Sequence, residues 1–289
     1  MHFIKILLAE AVKHLSYADY ATILMIITAL AGLAVFVNWA IKNNFGKDSL
    51  ERAHYRANSM PYYVPFAVIF GWLGLSITVA NLAESLSVQM PVWQQKFTAF
   101  SLFIAVEIVI IIFIIVAAKK YFDRGLRGFG LRTEGIGDDI TSAAAIFIAI
   151  WPLVLGALYL TIVIGRIVVG PDFQMERNEG LSIILENNQL PLRILMIFFA
   201  TILTPVFEEL IFRGLLQSYL RDIGFSPWRS IFACSIVFTL LHPLMHFPGL
   251  FILAIAMGYA YEKSGSLLRS ILLHCFFNST QIAFALLGS

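Results

Sequence analysis

Four polar residues lie in segments that are otherwise strongly apolar, where such side chains need a chemical or structural reason. They are Glu208, His242, His274 and Asn278. A carboxylate that is partly withdrawn from water can accept a proton from a water molecule, and a neighbouring histidine can orient or share that proton. A histidine and an asparagine amide can donate hydrogen bonds to a developing oxyanion. Because no serine or cysteine stands out as a nucleophile, these residue types indicate hydrolysis by an activated water.

The glutamate belongs to a stretch, Thr204–Gly214, that holds three ionisable residues in an apolar run. A charged group in a membrane span costs about 2.5–3.5 kcal/mol on insertion scales, so it needs compensation. Glu209 and Arg213 are four residues apart and are predicted to pair on one helix face. Glu208 then points about 100° away, toward a cavity. On this stretch alone, a purely structural cluster of the three charges is an equally good interpretation.

The spans that carry these residues bring them to overlapping depths. At about 1.5 Å per helical residue, Glu208 lies roughly 20 Å from the predicted cytoplasmic end of its span, and His242 lies roughly 21 Å from the same end of the next. His274 and Asn278 lie roughly 10 and 16 Å from the start of the last span at Leu267. A polar layer assembled from three spans favours a functional site over isolated structural groups.

Three motifs on successive spans resemble the CPBP family, the CAAX-protease and bacteriocin-processing group that includes the Rce1-type prenyl protein endopeptidases. The motifs are Glu208-Glu209-x-x-x-Arg213, Phe238-x-x-x-His242 and His274-x-x-x-Asn278. The resemblance covers about Ile194–Leu286, and the glycine-rich segment Arg127–Arg132 resembles the family more weakly.

This resemblance implies an intramembrane protease of eight helices with a glutamate as the catalytic base. Glu208 would activate water together with His242, while His274 and Asn278 would form the oxyanion site. The supporting residues would be Glu209, Arg213 and Phe238.

Composition independently predicts a membrane protein. The 289 residues are 59% hydrophobic and 13% charged, against about 45–50% and 25% in soluble domains. Apolar runs near 20 residues predict an all-α, multi-pass bundle, expected in a bacterial cytoplasmic membrane. The predicted spans are about Tyr20–Ile41, Tyr62–Ala83, Phe97–Ala118, Ile140–Ile164, Leu190–Leu216, Trp228–His242, Phe247–Tyr261 and Leu267–Leu287.

The spans divide the chain into an N-terminal membrane region, residues 1–135, and a catalytic membrane core, residues 136–289. Residues 1–18 are predicted to form an interfacial amphipathic helix. Fourteen of the twenty lysines and arginines fall in or beside the loops after the first, third, fifth and seventh spans. The positive-inside rule therefore predicts that these loops are cytoplasmic.

No cofactor is required by a glutamate–water mechanism. The alternative is a divalent metal such as zinc, which Glu208, His242 and His274 would hold. His242 and His246 have zinc-ligand spacing on a helix, but Pro243 and Pro248 make regular helix there doubtful. The expected partners are the lipid bilayer and a membrane-tethered protein or peptide substrate, and the oligomeric state stays open. A net charge of +2, spread over short loops, gives no nucleic-acid surface.

Other functions stay open at this point. The polar layer could instead serve a non-enzymatic membrane protein that gives bacteriocin immunity or binds a partner. A transporter is the weaker alternative, because the sequence has no inverted repeat. Glu107, in the third span, is predicted to be a buried hydrogen-bonded acid rather than a catalytic one, and Cys234 and Cys275 are predicted to be free thiols.

Overall fold

The computed structural model describes residues 17–287, and helices dominate this part of the chain. The helices are α1 Tyr17–Lys42, α2 Val64–Ser87, α3 Val92–Tyr121, α4 Leu126–Phe129, α5 Ile136–Val168, α6 Glu179–Glu186, α7 Leu190–Asp222, α8 Pro227–Leu240, α9 Phe247–Ser264 and α10 Leu267–Leu287. Within the described residues no β-strand forms beyond a single bridge between Asn58 and Phe122. The predicted all-α membrane bundle is confirmed.

Seven of the helices in the described part are long and apolar enough to cross a membrane. The sixth predicted span, α8, has 14 residues and is about 21 Å long, which is shorter than the roughly 30 Å of a hydrocarbon core. It ends at Leu240 because Pro243 has no backbone N–H and disfavours helix at the residue before it. His242 therefore lies in a turn beyond the helix, not within the last helical turn as predicted.

The outward faces of the long helices are apolar. Leu30 on α1 is 65% exposed and Val109 on α3 is 64% exposed, although both lie within hydrophobic helices. A soluble protein rarely leaves so much contiguous apolar surface uncovered, whereas a bilayer covers it without cost. Four charged groups of α3 and α7 are instead turned inward, since Glu107, Glu208, Glu209 and Arg213 are all buried.

One predicted segment cannot be compared with the structure, and another differs from the prediction. Residues 1–16 of the predicted interfacial helix lie outside the described residues. The polar segment before α7, predicted as an external loop, contains the short helix α6, whose Ile183 and Ile184 pack against Leu192 and Ile282. The division into regions 1–135 and 136–289 stays a prediction.

The connections after α1, α3, α7 and α9 meet at one end of the bundle, called here the loop end (residues 43–63, 122–135, 223–226 and 265–266). The His54 backbone N–H donates to Glu262 O at 3.0 Å, and the Leu267 N–H donates to Gly130 O at 2.9 Å. The Trp228 indole N–H donates to Gly46 O at 3.2 Å. The basic loops thus share one face, as the predicted orientation requires, and the cytoplasmic location of that face stays a prediction.

The glycine-rich segment Arg127–Arg132 packs directly on α7. A Cβ added to Gly214 would lie 2.2 Å from Phe129 Cζ, so only glycine admits this ring against the helix. The Phe129 carbonyl accepts a hydrogen bond of 2.7 Å from the Tyr261 hydroxyl. Gly130 has a φ of +96° and lies close to Gly265 O. This segment therefore fixes the loop end of the helix that carries both glutamates.

Replacing Gly214 with alanine should destabilise the protein by about 1–3 kcal/mol, because the new methyl group overlaps a fully buried ring. Thermal unfolding in a mild detergent measures the loss. Gly156→Ala on α5 is the matched control, since a Cβ there has no neighbour within 4 Å. Equal melting temperatures for the two variants would contradict the packing described here.

Candidate functional site

The helix α7 changes its register on both sides of the glutamates. Residues Phe199–Leu203 and Leu210–Gln217 are π-helical, and the α-helical turn Thr204–Glu209 lies between them. Single π segments within α-helices are rare and occur frequently at functional sites. The first one precedes Pro205, which lacks a backbone donor and disturbs the regular i→i−4 ladder. Both acids therefore lie on a short α-helical turn whose rotation is set by irregular helix on either side.

Glu208 lies between the two predicted histidines. Its Oε1 is 3.9 Å from His242 Nε2, and its Oε2 is 3.8 Å from His274 Nε2. These separations are longer than a hydrogen bond. Two groups that both bind one water molecule through hydrogen bonds of about 2.8 Å lie about 4.5 Å apart. The three side chains are thus close enough to contact the same small molecule. Glu208 is 8% exposed, so it is shielded yet accessible.

The outer nitrogen of each imidazole is fixed by an acceptor. His242 Nδ1 lies 2.9 Å from Phe238 O, and His274 Nδ1 lies 3.1 Å from Glu209 Oε1. A carbonyl or carboxylate oxygen only accepts, so we assign the hydrogen to Nδ1 in both rings. Both Nε2 atoms therefore face Glu208 with a lone pair when the rings are neutral.

The second glutamate forms a completely buried network. Glu209 Oε1 accepts from Arg213 Nη1 at 2.8 Å, which confirms the predicted i, i+4 pair. Glu209 Oε2 accepts from the Ser270 hydroxyl at 2.6 Å. Arg213 Nη2 also donates to Ala254 O at 3.1 Å. A buried charge is tolerated when its partners are this complete, so Glu209 holds His274 and α10 in position while Glu208 stays available.

Sequence reasoning missed Ser270. It lies four residues before His274, which in turn lies four residues before Asn278, so all three share one face of α10. This spacing was the available signal. A serine in an apolar helix commonly bonds its own backbone, and nothing local distinguishes a serine that reaches another helix.

Phe238, which was predicted to be a supporting residue, lies between Arg213 and the two imidazoles. The Arg213 guanidinium lies 4.6 Å from the centre of its ring. The His242 and His274 rings lie 4.7 and 6.1 Å from it, centre to centre. One aromatic ring thus separates the buried ion pair from the open side of the site and orients both imidazoles.

Asn278 does not contact Glu208 but binds the backbone of α7. Its Nδ2 donates to Ala200 O at 2.7 Å. In this π segment the Thr204 N–H donates to Phe199 O, five residues earlier. The same register would pair Ala200 O with the N–H of residue 205, which is proline and has none. Asn278 therefore satisfies the carbonyl that Pro205 leaves without a partner. Its second amide hydrogen is what could serve the predicted oxyanion site.

A second side chain binds the other π segment. The Cys234 thiol of α8 donates to Phe212 O at 3.0 Å. The first π segment is therefore linked to α10, which carries His274. The second is linked to α8, which ends just before His242. Cys234 and Cys275 are both free thiols, as predicted.

Glu107 of α3 is a third buried acid near the site. It is 5% exposed and close enough to Glu208 for the two charges to interact. Its Oε2 has no hydrogen-bond partner among the described residues. The predicted burial of Glu107 is confirmed, whereas the predicted hydrogen bonding is wrong at Oε2, and Glu107 adds polar character beside Glu208.

The geometry gives limited support for the metal alternative. Glu208, His242 and His274 are the residues that could hold an ion. The Nδ1 atom of each histidine makes the outer hydrogen bond that metal-binding histidines usually have. However, zinc ligands at about 2.0–2.2 Å from the ion lie closer together than 3.8–3.9 Å in a tetrahedral site. Within residues 17–287 no group of three or more His, Cys, Asp or Glu side chains is arranged to hold a metal ion. His246 lies in a separate turn, Leu244–His246.

Residues 190–280 match a family model described as type II CAAX prenyl endopeptidase, Rce1-like. The match confirms the resemblance inferred from the three motifs, and it spans α7 to α10, the helices that build this site. It supports peptidase activity and a membrane-associated substrate. Neither a curated protein nor a solved structure matches the chain.

The bond between Asn278 and Ala200 can be tested with a double-mutant cycle. Asn278→Ala should lower the stability by about 1–3 kcal/mol, because it leaves a buried carbonyl unsatisfied. In a Pro205→Ala background the loss should be smaller, since residue 205 then supplies an N–H. Thermal unfolding of the four proteins in one detergent measures the coupling. Equal losses in both backgrounds would refute the link between the two residues.

Proposed function

We propose that this chain is an intramembrane endopeptidase that hydrolyses a peptide bond with a water activated by Glu208. The carrying observation is the placement of Glu208 between His242 Nε2 and His274 Nε2 at 3.9 and 3.8 Å. The family match over residues 190–280 supports the same reaction class. A membrane protein with merely structural charges would pair Glu208 as completely as it pairs Glu209.

The reaction begins with a proton transfer. Glu208 takes a proton from water, and the resulting hydroxide oxygen bonds to the carbonyl carbon of the substrate. The carbonyl π electrons move to oxygen and form a tetrahedral oxyanion. When the carbon–nitrogen bond breaks, the proton held by Glu208 passes to the leaving nitrogen, so the enzyme returns to its starting state.

The surrounding groups stabilise the charge that develops during this sequence. Either imidazole can share the proton of Glu208 and then donate from Nε2 to the oxyanion. The second amide hydrogen of Asn278 is a further donor on the α10 side. The Phe238 carbonyl holds His242 and the Glu209 carboxylate holds His274, while the Phe238 ring contacts both imidazoles. Little reorganisation of the two rings is therefore needed during the reaction.

The location of the site supports a membrane-tethered substrate. Glu208 is on a helix long enough to span the bilayer and lies in the midst of apolar side chains. A peptide bond reaches this depth most readily when the substrate is itself tethered in the membrane by a lipid or an apolar segment. A prenylated C-terminal peptide belongs to this class, as does a membrane-anchored leader.

Replacing Glu208 with glutamine should lower kcat roughly 10²–10⁴-fold, because the amide cannot accept the proton of water. Glu84→Gln, on the exposed face of α2, is the matched control and should retain full activity. The assay uses a panel of prenylated and unprenylated peptides in detergent, together with a comparison of membrane proteomes from cells carrying either variant.

A Glu208→Gln protein that folds normally and cleaves at the wild-type rate would refute this mechanism. A biological effect that persists in that variant without any cleavage would favour the binding or immunity function.

The glutamate–water mechanism and the metal alternative predict opposite effects of a chelator on cleavage. Because the proposed base acts directly on water, cleavage should continue after extended dialysis against EDTA, and added zinc should not stimulate it. Metal content measured on the same sample checks that removal was complete. Activity that falls on dialysis and returns with zinc would instead assign Glu208, His242 and His274 as ligands.

A further inference from the structure

A second polar pocket lies at the loop end, far from the glutamates. It has a volume of about 620 Å³ and is lined by the connections after α1 and α3 and by the end of α9. Its charged lining consists of His54, Arg56, Arg124, Arg127, Arg132, Asp123 and Glu134. Pockets of about 300–1,000 Å³ are typical of small-molecule sites. Four arginines against two acids give this lining an excess of positive charge.

Some of this positive charge has no counterpart within the protein. Arg127 pairs with Glu134, and Arg56 pairs with Glu262 at 2.5 Å. Within the described residues neither Arg124 nor Arg132 forms an ion pair with an acid. Both arginines therefore present charge to the pocket that no ion pair neutralises.

Two arginine nitrogens are poised to donate. Arg56 Nη1 and Arg132 Nε are buried and have no hydrogen-bond partner within residues 17–287. The Arg56 side chain is only 3% exposed. A buried donor without a partner is costly, so a structure that retains two of them at one pocket indicates an acceptor that binds there.

The arginine at the back of the pocket is rigidly held. Arg56 Nε donates to the Ser218 hydroxyl at 3.2 Å, and its guanidinium lies 3.8 Å from the centre of the Tyr261 ring. At the rim, Arg124 adopts a φ of +64°, an unfavourable conformation for a residue with a side chain. One donor is thus preorganised by the core, and another is placed by strained backbone.

The neighbouring histidine reports the same concentration of positive charge. Partial burial, followed by the charges of Arg56 and Arg132, lowers the pKa of His54. His54 lies in a loop outside the membrane-spanning helices, where it lines the pocket. A bound anion would offset the two arginines and favour the protonated imidazole, so the pocket gains a further donor when the anion arrives.

We propose that this pocket binds a phosphate group, carried by the headgroup of an anionic phospholipid or by a soluble phosphate compound. Guanidinium groups match phosphate oxygens with paired, charge-assisted hydrogen bonds. The basic loops around the pocket are those that the positive-inside rule assigns to the cytoplasmic face, where anionic lipids are enriched. The proposal is independent of the peptidase assignment.

Phosphate binding would link the loops that fix the catalytic helices. Arg132 Nη2 donates to Ser264 O at 3.4 Å at the junction of α9 and α10, and Arg56 reaches Ser218 on α7. A ligand held by both arginines ties these helix ends together. Because it binds only the folded protein, it should raise thermal stability in proportion to its saturation.

The test measures thermal unfolding of the purified full chain in a neutral detergent. One arm compares inorganic phosphate with sodium chloride at equal ionic strength, and a second compares micelles containing phosphatidylglycerol with micelles containing phosphatidylcholine. We expect a saturable rise in melting temperature with at least one phosphate source. A rise with phosphatidylglycerol alone assigns a lipid headgroup, and a rise with inorganic phosphate assigns a soluble ligand.

Variants locate the effect. The rise should disappear in Arg124→Gln/Arg132→Gln and persist in Arg52→Gln, which removes an exposed loop arginine that does not line the pocket. Native mass spectrometry of the wild type provides a second measurement, counting phosphatidylglycerol molecules that survive detergent removal. No rise with either source in the wild type, or a rise that persists in the double variant, would overturn the proposal.

Discussion

The fold depends on one constraint, the burial of the Glu209 carboxylate in a layer where water does not compensate its charge. Arg213, Ser270 and His274 all bind this group, and Arg213 reaches on to Ala254. The carboxylate therefore joins α7 to α10 directly, and Arg213 extends the network to α9. Removing any one partner leaves a buried charge incompletely paired, which is far more costly than the loss of one surface interaction. The adjacent Glu208 can be left without such partners because its neighbour carries the structural role.

The irregular register of α7 is the means by which adjacent residues serve these different roles. In a regular α-helix two neighbours differ by about 100° in direction, and their environment is set by the helix as a whole. Here π segments on both sides set the rotation of Thr204–Glu209 separately from the helix ends. Asn278 and Cys234 bind one carbonyl in each segment. The irregular helix is thus held by the same neighbours that form the site.

Much of this arrangement could be predicted from the sequence, because membrane helices follow simple rules of length and polarity. The span positions, the Glu209–Arg213 pair and the meeting of Glu208 with both histidines follow from helical spacing and depth. The π segments could not be predicted, since Pro205 signals an irregularity without specifying its form. The contacts of Ser270 and Asn278 depend on how helices pack. The short α8, the turn at His242 and the open oxygen of Glu107 likewise required coordinates.

The two histidines are held with unequal firmness. His274 belongs to a continuous helix, its side chain is 6% exposed, and its Nδ1 donates to the Glu209 carboxylate, while Asn278 one turn away ties the same helix to Ala200 O. His242 lies beyond the end of a short helix, its side chain is 25% exposed, and its Nδ1 donates to the Phe238 carbonyl, while that helix is tied to α7 by the Cys234 thiol, which is a weak donor. The cleft around Glu208 therefore has one stiff wall and one compliant wall. Because a thiol is a weak donor, displacing the His242 side of the cleft disrupts weaker contacts than displacing the His274 side.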